Sequence, residues 1–95
     1  MKILALEKEI PGTSGEEFTP LLAPEARRAW ELYKDGTIRE LYFRRDRDEA
    51  VLVLECSDLD EANEALSSLP LVKHGLIAFD LIPLAPYPGF ERLFG

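Results

Sequence analysis

The chain has one cysteine, one histidine, one methionine and one tryptophan in 95 residues. A single thiol, Cys56, excludes an internal disulfide. It follows Leu52 and Leu54 at strand spacing and reads as a small buried hydrophobe. His74 stands alone, with no His/Cys/Asp spacing of a metal site around it, so no metal or other cofactor is expected. No apolar run reaches the roughly 20 residues a membrane-spanning helix needs. The start, Met1-Lys2-Ile3-Leu4, turns acidic by Glu7 and lacks the apolar core of a signal peptide, which makes the cytoplasm the expected setting. Basic residues are scarce: 11 Lys and Arg against 18 Asp and Glu give a net charge of −7. That sign repels phosphate backbones and anionic lipid, so neither nucleic acid nor membrane is expected as a partner. Arg44, Arg45 and Arg47 form the densest basic group, but Asp46, Asp48 and Glu49 interleave them, as in a solvated hairpin tip. Gly12 and Gly15 lie in a Pro-Gly-Thr-Ser-Gly turn with no clear helix directly after it, which argues against a phosphate loop.

What remains is a hydrophobic pattern sufficient for one core and one domain, residues 1–95. Residues 2–10 read as a strand, broken at Pro11-Gly12. A helix ends at Lys34-Asp35, with Gly36 placed for the left-handed residue after it. Its apolar stripe is Leu22, Ala26, Ala29, Trp30 and Tyr33, and its start is expected at Thr19-Pro20 or near Pro24. Residues 37–45 and 49–56 form an antiparallel hairpin. Ser57-Asp58 with Glu61 signals a helix N-terminus; the helix buries Leu59, Ala62, Ala65, Leu66 and Leu69 and stops at Pro70. A last strand runs from Leu76 to Pro83. The order β-α-β-β-α-β defines an α+β, ferredoxin-like fold: a four-stranded antiparallel sheet with two helices on one face.

Strand alternation assigns Leu4, Leu6, Leu41, Phe43, Leu52, Leu54, Cys56, Ile77, Phe79 and Leu81 to the helix-covered face. The opposite face then collects Ile3, Ala5, Ile38, Tyr42, Val51, Val53, Leu76, Ala78 and Ile82, with Glu7, Glu40, Arg44, Glu55 and Asp80 among them. Such a face is too apolar for open water. It is expected to pack on a second copy, giving a homodimer or higher homo-oligomer.

His74 is the one side chain that titrates near neutrality without special help, and it is the catalytic candidate by elimination. Tyr42, Glu40, Arg44, Glu7 and Asp80 are the expected substrate-binding residues. In that arrangement His74 and Arg44 hold a small acid or aromatic over a floor of Ala5, Val53 and Ala78.

The run Leu66-Ser67-Ser68-Leu69-Pro70-Leu71, the strand ending Ile82-Pro83-Leu84-Ala85-Pro86-Tyr87-Pro88, and Leu32-Tyr33-Lys34-Asp35-Gly36 entering Ile38-Arg39-Glu40 resemble the muconolactone Δ-isomerase-like branch of the dimeric α/β-barrel families. The resemblance implies a ferredoxin-like fold whose sheets pair into a barrel. It also implies an acid and a Lys early on the first helix that move a proton beside a lactone carbonyl. The nearest counterparts here are Glu25, Arg27 and Arg28, and arginine does not relay protons at neutral pH. Two functional classes follow: a cofactor-free isomerase- or monooxygenase-like enzyme acting on a small apolar acid or lactone, or a non-catalytic ligand-binding or assembly module.

Overall fold

Strand β1, Lys2–Glu9, occupies the middle of the sheet in the computed structural model, which describes residues 1–95. It pairs antiparallel with β3, Ala50–Glu55, on one side and with β4, Ile77–Leu84, on the other. Strand β2, Ile38–Phe43, adds to β3 and leaves the order β2-β3-β1-β4, the ferredoxin-like arrangement the sequence implies. Directly opposed residues share a face of the sheet. Ile3 opposes Leu54 and Pro83, and Ala5 opposes Leu52 and Leu81, so these residues form the face beneath the helices. Ile3, Ala5 and Leu54 are completely buried there.

This corrects the phase of β1. Leu4 and Leu6, expected beneath the helices, oppose Val53 and Val51 on the open face. Residues 3–6 are apolar on both faces, so alternation alone gives no phase; pairing with two neighbours sets it. Ile38 changes face for another reason. A bulge between Ile38 and Glu40 shifts the β2–β3 register, and the extra residue turns Ile38 inward to 1% exposure. Leu76 precedes β4 and packs with Leu71 and Ile77 instead of lying on the open face. That open face is left with Leu4, Leu6, Val51, Val53, Ala78 and Ile82.

The helical segment starts earlier than Thr19. Helix α1, Gly15–Phe18, begins after Ser14, whose backbone N–H donates to Glu17 Oε2 at 2.9 Å. A 3₁₀ turn over Thr19–Leu21 takes up Pro20, and α2 spans Leu22–Lys34. Pro24 falls in the first turn of α2, where its missing N–H has no partner to lose. Asp35 caps the far end, and Gly36 takes φ +88°. The buried residue of α2 is Leu32. Trp30, expected in the core, is 57% exposed and stacks on Tyr33 at 5.8 Å.

Helix α3, Leu59–Ser67, starts as its sequence implies. Asp58 accepts from the Glu61 N–H at 2.8 Å, and Glu61 Oε2 accepts from the Ser57 N–H at 3.3 Å. Asp58→Ala is expected to cost about 1 kcal/mol, read as a lower urea midpoint with an unchanged slope. Pro70 does more than stop α3: it opens a further turn, α4, Pro70–Lys73. Beyond β4 the chain leaves the body with Tyr87, Phe90, Leu93 and Phe94 exposed, and the long axis reaches 58 Å. No helix is long and apolar enough to cross a membrane.

Candidate functional site

Ala26 and Ala29 line the space under α2 with short side chains. A cavity of about 410 Å³ opens between that helix, α4 and the end of the sheet formed by Glu7 of β1, the start of β4 and the hairpin strands. Of its 15 lining residues 13 are hydrophobic, among them Leu22, Phe43, Leu71 and Phe79. The remaining two are Glu7 and Glu25. The chemistry of the cavity therefore rests on two carboxylates.

Glu7 follows Ile3 and Ala5 along the helix-facing side of β1. The β1–β3 ladder ends at Leu6 and Val51, and the next amide, that of Ala50, donates to Glu7 Oε1 at 3.0 Å. Glu25 sits in the first turn of α2, and its Oε1 accepts from the Leu71 N–H at 2.9 Å. That bond ties α2 to the start of α4. Each carboxylate thus has one oxygen anchored on a backbone amide and its second oxygen without a protein donor. Burial pushes both above the ordinary carboxylate range, and the amide bonds only partly oppose it. Glu7 is raised further by the charges of Glu49, Glu25 and Glu9. Two half-buried carboxyl groups, both raised by burial and each with a free oxygen, are suited to taking a proton from a ligand and returning it.

Of the residues expected to form the site, Glu7 and Tyr42 line this cavity. Tyr42 is exposed on edge strand β2 and donates its hydroxyl hydrogen to Glu40 Oε1 at 2.8 Å. Glu40 itself lines a shallower groove with Trp30, Tyr33 and Arg39. Arg44 lies in the hairpin tip, bonded to Asp46 and 3.7 Å from Glu49. Asp80 pairs with Lys8 at 2.7 Å on the open face. His74 is exposed at the end of α4, its Nδ1 3.0 Å from the Pro70 carbonyl oxygen. His74, Arg44 and Asp80 therefore do not converge with Glu7. The supposed floor does not form either, because Ala5 faces the helices while Val53 and Ala78 face away.

Glu25 is the residue that elimination missed. Its signal was an acid inside an apolar helix start, Leu21-Leu22-Ala23-Pro24-Glu25-Ala26. No group of three or more His, Cys, Asp and Glu side chains is placed to hold a metal ion. Burial also pushes the Cys56 thiol up, which suits a packed residue and not a nucleophile.

A ferredoxin-like sheet whose helix layer encloses an apolar, carboxylate-lined cavity defines a small α+β pocket protein. The muconolactone delta-isomerase family matches residues 5–89, and the chain belongs to that family. Among solved structures it is similar to muconolactone isomerase, determined at 3.3 Å, with a TM-score of 0.76 and 21% identity over 93% of this chain and 92% of that one. It is also similar to 5-chloro-2-hydroxyhydroquinone dehydrochlorinase (TftG) from Burkholderia phenoliruptrix AC1100, in complex with 2,5-dihydroxybenzoquinone. That match has a TM-score of 0.72 and 19% identity over 94% of this chain and 98% of that one. Likenesses at these identities show a shared fold. Comparison with curated protein sequences finds no match.

Proposed function

We propose that this protein is a proton-transfer enzyme of the isomerase kind, acting on a small oxygenated ring compound held between Glu7 and Glu25. The observation that carries this reading is the pair of raised carboxylates, each with one oxygen unpartnered, in an otherwise apolar cavity. The ionised member takes a proton from carbon beside a ring carbonyl, forming an enolate as the C–H bond breaks. The protonated member donates to the conjugated carbon, and the double bond moves. The proton lost by one carboxyl is thus matched by the proton gained at the other. The names of the two structural neighbours, a lactone isomerase and a hydroxyhydroquinone dehydrochlorinase, support a small oxygenated ring as the kind of ligand.

The working form is a homodimer in the cytoplasm. Leu4, Leu6, Val51, Val53, Ala78 and Ile82 make a continuous apolar sheet face that a second copy covers in the manner of a dimeric barrel, burying roughly 800 Å² per subunit. The test of the chemistry is isotope exchange. Butenolides and hydroxylated quinones incubated in deuterated water with the protein should gain deuterium beside the carbonyl faster than in buffer. Exchange that is just as fast in the double variant Glu7→Gln, Glu25→Gln would place the chemistry outside this cavity. Ligand binding with no exchange in any compound would favour the non-catalytic module.

A further inference from the structure

The cavity holds two acids and no basic side chain: none of its lining residues is Lys, Arg or His. The nearest arginines of the hairpin, Arg44 and Arg47, each approach Glu49 at 3.7 Å, so they answer a different acid. Arg28, on α2, is bonded to Ser68 and Glu31. A third acid, Glu49, is itself buried at the tip end of the hairpin and adds to the field at Glu7. An ionised carboxylate brought into this space would meet two half-buried acids across apolar walls, where screening is weaker than in bulk water.

We infer that the cavity selects uncharged ligands, namely ring carbonyl compounds or phenols that carry no carboxylate. Muconolactone is itself a carboxylic acid, ionised at neutral pH, so this selection would exclude it. The inference rests on the assignment of the cavity as the binding site and narrows it. A neutral carbonyl or hydroxyl matches the groups available: a protonated Glu donates to the carbonyl oxygen, and an ionised Glu accepts from the hydroxyl. The hydrocarbon of the ring takes the walls of Leu22, Phe43 and Phe79.

Matched pairs separate charge from shape. Calorimetry at neutral pH would compare hydroquinone with 2,5-dihydroxybenzoate, and a butenolide acetamide with the corresponding butenolide acetate. The neutral member should bind on the order of tenfold tighter or more, as repulsion at an intermediate dielectric implies. In Glu7→Gln the gap should narrow several-fold, because the amide oxygen keeps the Ala50 bond while the charge is gone. A carboxylate that binds the wild type as well as its neutral partner overturns the inference, as does a gap that neither Glu7→Gln nor Glu25→Gln reduces. Preference for benzylamine over all four probes would also overturn it, in favour of a cation site. If none of these probes binds, the cavity is not the ligand site and the functional assignment itself falls.

Discussion

Val53→Asp is expected to yield a monomer of 10.7 kDa or a chain that no longer folds. Val53 stands on the open face of β3, opposed by Leu4 on β1 and by Glu40 on β2. In the proposed dimer that position lies at the middle of the buried sheet. The cations of that face on the neighbouring strand, Lys2 and Lys8, stand at the two ends of β1, and Lys8 is already paired with Asp80; a buried charge without a partner costs about 3–5 kcal/mol. Each symmetric interface meets the charge twice, once from each copy. Light scattering at micromolar concentration reads the result directly. Wild type should run at twice the monomer mass or more, and the variant should not. A Val53→Asp protein that stays assembled with unchanged melting would show that the open face is not the contact.

Glu7→Gln should lower the rate of proton transfer by about 10²–10⁴-fold and yet raise the melting temperature at neutral pH. Both effects have one origin. The folded carboxyl titrates above its ordinary value of 4.5 because burial disfavours its charge. Its favourable contribution to folding is complete below the unfolded value and is lost as pH rises through the raised folded one. At neutral pH wild type therefore carries a strained charge that Gln lacks, while Gln still accepts from the Ala50 amide. The melting advantage of the variant should shrink as the solution is acidified toward the ordinary carboxylate range. A variant of full activity, or an advantage that does not vary with pH, would remove Glu7 from the role assigned to it. Stability given up for a poised acid is a common pattern at catalytic sites.

Local signals in the sequence read well and long-range ones did not. Gly36 after Lys34-Asp35, and Ser57-Asp58 with Glu61, name groups that satisfy neighbours within four residues, and the structure shows those bonds. The phase of β1 depends on strands about 50 and 80 residues away and was read backwards. Ile38 was misplaced because a bulge leaves no mark in a short apolar strand. Trp30 fits the helical period of α2 but lies past the strip where that helix touches the sheet. The candidate site divides the same way. Glu7 was legible as an acid in an apolar strand, although on the wrong face. Glu25 was legible only through the family resemblance, as the acid nearest the start of the first helix, since its anchoring amide belongs to Leu71, 46 residues further along.

The central place of β1 also governs how the molecule comes together in time. Ile3 and Ala5 belong to the first element of the chain, and they stay wet until β3 and β4 have closed loops of roughly fifty and eighty residues around them. Neither neighbour reaches β1 through a short hairpin, so the entropy of both closures precedes the reward of pairing. The β2–β3 hairpin and the capped helix α3 are free to form early, and β1 then docks into a partly built sheet. Folding should be slow for a chain of this size, with an exposed Leu4–Leu6 edge as the vulnerable stage for aggregation.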